Sequence, residues 1–468
     1  MKIYFETFGC SANQASAETM RGIIRNLGFE FTNENEADVY VCNSCTVKYT
    51  TEQKILYKIR SFGERGKDVI VCGCMPEVQL DLILNANPES YIVGVRSVNG
   101  LQDVLLKIQN KIGIDGISSS NESNDSALSD NHNYIPVRIS SKPPEGFLNL
   151  PKVRYHDNIH ICQISTGCRF GCSYCIVRLA RGDLISFPPN EIVEDVKTAV
   201  AEGCSEIWLT SQDDSQYGMD FTAGSDLGSD PDPCSKSPYH GMRLPDLLKQ
   251  IAEIPGDFKI RVGMMNPFSI KPILPELVDA FDHPKIYKFL HIPIQSASED
   301  VLKTMNRHYS MATVDEIIAA FKERFPDLTL FTDIIVGFCG ETDSDFEKTI
   351  DWVQKYKPDK INISKYSPRP GTKAFPLRNL DSRILTARSK ELTEVTDKLK
   401  QETKNQRIGK IEDVFISKYG KESGVLARTA DYKPVVLNEA GLKPGMNARI
   451  KIVEATPGYF IGELIEIL

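Results

Sequence analysis

The stretch "IHICQISTGCRFGCSYC", residues 159–175, sets the reading of the whole chain. Its first seven residues are apolar enough for a buried strand, and three cysteines follow within eight residues: Cys168, Cys172 and Cys175. A CxxxCxxC triplet placed directly after a strand is a metal-ligand pattern rather than core filling. Three thiolates are one short of the four that close an ordinary iron–sulfur cluster or a structural zinc site. Zinc would need a distant fourth ligand. Cys162 is near in sequence, but on its strand it is expected to face the core. A four-iron cluster held by three cysteines, with one iron open to a small molecule, is the sharper reading.

Working outward, residues 159–366 alternate strand and helix patterns. The strands are "IHICQIS", "EIWLTS", "KIRVGMM", "KFLHIPI", "LTLFTDIIVG" and "KINISKY". Six βα units in this length predict a partial (β/α)6 barrel, smaller than the eight-unit form. The first hundred residues show the same rhythm with short connections, which predicts a doubly wound parallel sheet. Its helices run from about Asn13 to Leu27, closed by Gly28, and to about Phe62, with Gly63 as the stop. Residues 406–468 carry short alternating strands separated by "KYGKESG", "GLKPGM" and "TPGY", the pattern of a small all-β barrel. The expected organisation is a first α/β domain at 1–112, a linker at 113–151, a barrel domain at 152–386, a helical connector at 387–405 and the β-barrel at 406–468. The linker is Ser/Asn/Asp-rich, and a second polar segment, 222–241, reads as a loop insertion with an incidental Cys234.

Composition narrows the class. The chain has 468 residues, 12 cysteines and a net charge of −8. The opening segment has one Lys and no apolar run of signal-peptide length, and no stretch approaches a membrane span. A cytoplasmic protein with no membrane partner is expected, in a compartment that keeps thiols reduced, so a disulfide framework is not. The acidic balance argues against gripping nucleic acid over the whole surface. Residues 401–468 hold ten Lys/Arg and nine Asp/Glu, so the terminal barrel carries +1 and the rest −9. That barrel does interleave cations with rings, at Arg428, Tyr432 and Lys433 and again at Tyr459 and Phe460. These are candidates for RNA contact by stacking and phosphate pairing.

Three more cysteines sit at the ends of strands in the first domain: Cys10 in "TFGC", Cys45 in "CNSC" and Cys74 in "CGC". In a parallel sheet such positions share the carboxyl edge, where ligands bind. Cys42 and Cys72 lie within strands and read as core.

By spacing and position, the triplet at 168–175 resembles the radical S-adenosylmethionine motif. The resemblance implies that Cys168, Cys172 and Cys175 ligate a [4Fe-4S] cluster whose open iron holds S-adenosylmethionine for reductive cleavage. Phe170 and Tyr174 lie within that loop, to pack adenine or to shield the cluster. Groups at other strand ends would complete the cofactor site: Gln212 and Asp213 after the second strand, and Gln295, Ser296 and Arg307 after the fourth. "DIIVGFCGET" follows the fifth.

Taken with "GCSANQASAE", "NSCTV", "GCMPE" and "SPRPGT", the triplet and terminal barrel resemble the methylthiotransferase family over nearly the whole chain. That resemblance implies a second [4Fe-4S] cluster on Cys10, Cys45 and Cys74, which handles the inserted sulfur, and a terminal TRAM domain. "ISTGC", "EIWLTSQDDSQYG" and "LARG" are most similar to the archaeal and eukaryotic branch. That branch methylthiolates carbon 2 of N6-threonylcarbamoyladenosine at position 37 of tRNA, beside the anticodon. A sulfur donor and an electron donor such as a flavodoxin or ferredoxin are then implied. Ser16, Ala17, Ser44, Ala297 and Cys339 depart from common family residues, and none is an expected ligand. Isopentenyladenosine in tRNA and an aspartate of a ribosomal protein are the alternative substrates. An iron–sulfur redox-sensing RNA-binding module is the alternative from another class.

Overall fold

The computed structural model describes residues 1–115, 148, 150–221, 237–420 and 424–468. The expected linker and insertion, Cys234 included, fall almost wholly outside the described residues. The chain divides into two compact units: Met1–Val153 with Ile176–Asp183, and Arg154–Cys175 with Leu184–Leu468. The short segment after Cys175, drawn with the central domain on sequence grounds, thus belongs to the first unit.

The first unit is a five-stranded sheet. Its strands are β1 (Lys2–Thr7), β2 (Glu30–Phe31), β3 (Val39–Ser44), β4 (Asp68–Gly73) and β5 (Tyr91–Gly94), in the order β2-β1-β3-β4-β5. All neighbours pair in parallel. Strand β3 is buried along its whole length, as a central parallel strand with both faces covered must be. On one face Tyr40, Ile55, Ile59, Phe62, Val69 and Val71 form the core. Each such apolar side chain contributes roughly 1.5–3 kcal/mol by leaving water. Gly63 does not stop its helix, which runs Tyr49–Glu64. A Cβ on Gly63 would meet the Asn87 side chain at 2.8 Å, so the glycine serves packing, and Gly66 makes the left-handed turn.

The second unit opens with β6 (Ile159–Gln163), then a ribbon of β7 (Ser165–Thr166) and β8 (Ile185–Ser186) that brackets the cysteine loop. Next come β9 (Glu206–Thr210), β10 (Lys259–Arg261), β11 (Phe289–His291), β12 (Thr329–Val336) and β13 (Lys360–Lys365). Strands β6-β9-β10 form one parallel sheet and β11-β12-β13 another. Parallel bridges Ile260↔Ile286 and Met264↔His291 connect the two arcs. The result is six strands in chain order with helices between, the expected partial barrel. The helix Ser382–Asn405 is fixed by Arg388, which pairs with Glu341 at 2.6 Å and Asp343 at 2.7 Å.

The chain ends in a closed barrel of β14 (Ile411–Tyr419), β15 (Val425–Thr429), β16 (Pro434–Leu437), β17 (Asn447–Ala455) and β18 (Phe460–Ile467). Val414, Ile416, Val425, Ala427, Val435, Leu437, Ala448, Ile450, Ile452 and Phe460 fill it. They come from alternate positions, as the two-residue period of a strand requires.

This barrel rests on the sheet of its own unit, and the seam accounts for the three residues expected to meet RNA. Tyr432 is buried between Tyr287 and Phe289, both at 4.9 Å. The Arg428 guanidinium lies 4.2 Å above the Tyr432 ring. Lys433 pairs with Asp431 at 2.6 Å and Asp359 at 3.2 Å and donates to Thr329 at 2.7 Å. These three residues hold the barrel in place and are spent on protein, not presented to RNA. Phe460 is core, whereas Tyr459 is exposed.

Two candidate cluster sites

In the first unit Cys10, Cys45 and Cys74 follow β1, β3 and β4, three neighbouring strands of one parallel sheet. Their convergence depends on close backbone approach. Gly9 has φ +113°, and a Cβ there would lie 3.0 Å from the Cys45 Cβ and 3.1 Å from its Sγ. Gly73 has φ +88°, and its Cβ would meet the Ser44 carbonyl oxygen at 2.4 Å. Only glycine adopts these conformations freely and leaves that room. Cys10 also caps the N-terminus of the helix Ser11–Asn26, where the aligned peptide dipoles favour negative charge.

Asn13 and Arg181 complete this pocket. Asn13 Nδ2 donates to the carbonyls of Phe8 at 2.8 Å and Ser44 at 2.9 Å, which turns its Oδ1 inward. That oxygen accepts from Arg181 Nη2 at 2.7 Å and lies 3.7 Å from Cys74 Sγ. Arg181 is buried, and ionised sulfur at Cys74, Cys10 or Cys45 would favour its charge. Burial pushes the Cys45 thiol up to about 11 and raises Cys74, while Arg181 opposes both shifts. Among the described residues no carboxylate pairs with Arg181, and its Nε has no hydrogen-bond partner. A buried cation without an anion is costly. The three thiols become that anion when a metal displaces their protons. The donor set therefore fits an anionic metal cluster with three thiolate ligands.

In the second unit the loop of Cys168, Cys172 and Cys175 is held from two sides. After β9, Gln212 Oε1 accepts from Gly167 N at 2.7 Å, bracing the residue before Cys168. Gln216 accepts from Arg169 N at 2.8 Å and donates to Cys168 Sγ at 3.1 Å. Asp213 orders this corner. Its oxygens accept from Ser215 N and Oγ, Asn266 N, Gln216 Nε2 and Ser269 Oγ, between 2.5 and 3.2 Å. A carboxylate so engaged has no lone pair left for a substrate ammonium, so the sequence expectation for Asp213 is corrected to a positioning role.

The other side is the segment 304–307. Ser173 N and Oγ donate to the carbonyls of Met305 and Thr304, at 2.9 and 2.8 Å. Asn306 donates to Gly171 O at 2.8 Å, and Arg307 Nη1 to Cys172 Sγ at 3.5 Å. Donors aimed at ligand sulfur are the outer partners that tune a metal centre. Burial pushes the Cys168 thiol up to about 12, and Gln216 opposes the shift. Ligand spacing and sulfur-directed donors together fit a three-thiolate cluster here too.

Gln295 stands at φ +62° next to β12, with backbone bonds to Asp333 O and from Ile335 N. Its side-chain amide has no partner among the described residues. Ser296 Oγ instead accepts from Ser298 N at 3.2 Å and shapes the following turn. Tyr174 packs edge-on against Phe338 in a buried cluster, whereas Phe170 meets Phe268 and His308 at a partly exposed edge. Asn13, Arg181, Gln216 and Asn306 escaped sequence reasoning. "LARG" contained Arg181, but nothing in its spacing told of burial beside cysteines more than a hundred residues earlier.

Comparison with known proteins assigns families along the chain. Residues 162–353 match the Radical SAM superfamily, 2–94 the Uncharacterized protein family UPF0004 and 405–465 the TRAM domain. The "Probable threonylcarbamoyladenosine tRNA methylthiotransferase" of Pyrococcus horikoshii is 35% identical, over 99% of this chain and 100% of its own. The "Threonylcarbamoyladenosine tRNA methylthiotransferase" of Drosophila melanogaster is 33% identical, over 99% of this chain and 78% of its own. Its human counterpart is 32% identical, over 99% and 74%. Among solved structures, the radical S-adenosylmethionine methyltransferase TsrM of Kitasatospora setae superposes with TM-score 0.51 at 12% identity, over 80% of this chain and 75% of its own. That likeness is one of fold alone. With full-length relatives above 30% identity, the chain belongs to the radical S-adenosylmethionine family of threonylcarbamoyladenosine tRNA methylthiotransferases.

Proposed function

We propose that this chain transfers a methylthio group from S-adenosylmethionine-dependent chemistry to carbon 2 of N6-threonylcarbamoyladenosine at position 37 of tRNA. The observation that carries the reading is the pair of three-cysteine sites, one in each unit, in a chain whose full-length relatives bear that name. Cys168, Cys172 and Cys175 would hold the cluster that binds S-adenosylmethionine, and Cys10, Cys45 and Cys74 the auxiliary one. When bound, the clusters and S-adenosylmethionine supply reductive cleavage of a sulfonium bond and delivery of sulfur.

The chain's own residues orient and insulate. Gln212, Gln216 and Asn306 fix the loop that carries the radical ligands, and Asp213 fixes Gln216. Arg307 Nη2 donates to Pro293 O at 2.9 Å, holding its other arm on Cys172. Gln295 is the side chain left to contact the methionine portion of the cofactor. A one-electron donor such as a flavodoxin or ferredoxin and a separate sulfur donor complete the system, and the cytoplasm is its compartment. No helix among the described residues is long and apolar enough to cross a membrane. On the terminal barrel, exposed Tyr419 and Tyr459 replace the seam residues as candidates for stacking on tRNA bases.

The test is in vitro labelling with methyl-labelled S-adenosylmethionine, a reductant, a sulfide source and tRNA carrying the threonylcarbamoyl group, followed by nucleoside analysis. Label is expected in the 2-methylthio derivative. Label confined to isopentenyladenosine tRNA, to ribosomal protein, or to no macromolecule would overturn the assignment.

A further inference from the structure

Arg181 is the charged side chain in the first unit whose placement the fold explains least and the chemistry explains best. It closes the short helix Ile176–Arg181, six residues beyond the last radical ligand in sequence. Arginine almost never buries completely without an anionic partner. Here 2% of it is exposed, its hydrogen-bond partner is an amide, and the carboxylate that feels its charge, Glu77, forms no ion pair with it. Asn13 is turned by two carbonyls so that its own oxygen grips Nη2, which fixes the guanidinium plane. The same Asn13 oxygen lies 3.7 Å from the Cys74 sulfur, which places the guanidinium and that thiol on one amide, and Nε remains without a partner among the described residues.

We propose that Arg181, held by Asn13, is a positioning residue of the auxiliary site whose fixed positive charge sets the reduction potential of the cluster there. This rests on the reading that Cys10, Cys45 and Cys74 ligate a cluster. Adding an electron makes such a cluster more negative. A permanent cation that shares the Asn13 oxygen with Cys74, in a water-poor pocket, stabilises the reduced form more than the oxidised form. Charge and hydrogen bonds to sulfur are the means by which a protein moves these potentials. The guanidinium supplies the charge, and it does so without titrating, since arginine keeps its proton throughout the accessible pH range.

The experiment isolates the auxiliary centre in the full-length chain by replacing Cys168, Cys172 and Cys175 with Ala. Anaerobically reconstituted protein is then titrated with dithionite and followed by electron paramagnetic resonance. In that background Arg181→Gln is expected to lower the midpoint. At a fixed potential its reduced-to-oxidised ratio falls at least tenfold, equivalent to about 59 mV for one electron. Arg181→Lys keeps the charge and loses the fork, so its ratio should stay within threefold of the parent. A role confined to packing would lower the melting temperature of Arg181→Gln and leave the ratio unchanged within twofold, which overturns the inference. If Arg181→Gln retains no iron, Arg181→Lys decides: iron retained with a parental midpoint supports the charge role, and iron lost as in the Gln variant overturns it. Failure of the underlying reading looks different, because the parent itself would then hold no iron.

Discussion

Asp213 and Asp214 are adjacent carboxylates that the fold treats in opposite ways. Asp213 is saturated by donors and organises the Cys168 corner. Asp214 is fully buried, accepts from Ser211 Oγ at 2.6 Å and Gly263 N at 2.7 Å, and burial raises its pKa to about 6. The folded state therefore binds the Asp214 proton more tightly than the unfolded chain, where the value is near 3.8. Stability from this group is present below about pH 4, is lost as pH rises toward 6, and stays lost above it. Asp214→Asn can accept from Gly263 N through its oxygen and donate its NH2 to Ser211 Oγ, reversing that bond, without the charge. It should gain about 1–3 kcal/mol at pH 7.5, and almost nothing at pH 4, in denaturant unfolding at the two pH values. Gln216 acts on the neighbouring centre by a different route, a hydrogen bond to ligand sulfur. In a chain lacking Cys10, Cys45 and Cys74, Gln216→Leu should shift the radical-site midpoint negative while retaining iron, as read by the same type of redox titration.

At the scale of elements, strand ends and one seam carry the predictions. Gly73 ends β4 at φ +88° with no room for a Cβ beside the Ser44 carbonyl. Gly73→Ala should displace Cys74 and empty the auxiliary site while leaving the radical site loaded. Roughly half of the iron would be lost with S-adenosylmethionine cleavage preserved. The seam between the terminal barrel and its sheet is aromatic and ionic. Tyr432→Ala should cost about 3–4 kcal/mol and open the connection near residue 406 to protease, because a large ring leaves a cavity between Tyr287 and Phe289. Its effect on tRNA should follow that loss of stability. By contrast, Tyr419→Ala and Tyr459→Ala should leave the melting temperature unchanged and each weaken tRNA binding about tenfold, within the ~1–3 kcal/mol of a base stack. A filter-binding series at fixed salt separates the two classes.

For the molecule as a whole, each unit builds its own three-cysteine site from its own residues. Reconstituted protein should hold about eight irons if both are four-iron clusters. Replacing Cys10, Cys45 and Cys74 with Ala should remove half, abolish methylthio transfer and spare reductive cleavage of S-adenosylmethionine. Replacing Cys168, Cys172 and Cys175 should remove the other half and abolish both activities. Iron analysis with deoxyadenosine and nucleoside assays distinguishes these results, and no iron change in the first variant would remove the second cluster from the proposal.

Periodicity and spacing were enough for the six barrel strands, the parallel first sheet, the terminal β-barrel and the cysteine triplet. The strand rhythm is local, and Cys168, Cys172 and Cys175 share one loop, so the ligand set proposed for them is written within eight residues. Even the distant trio of Cys10, Cys45 and Cys74 was legible, because parallel topology sends alternate loops to one edge. What only tertiary structure decided is where polar groups spend their bonds. Asp213 looked free to meet a cofactor and turned out to be satisfied within the protein, and Ser296 Oγ accepts from the following turn. Arg428, Tyr432 and Lys433 had the composition of an RNA surface and became a seam. Arg181 had no signal at all, yet it is the buried cation among three thiols. Hydrogen-bond partners and burial are set by residues far apart in the chain, whereas strand period and loop ligand spacing are set by neighbours. That difference is why the sequence alone determined the fold and the cysteine spacing, and why the polar groups packed around those cysteines had to be found in three dimensions.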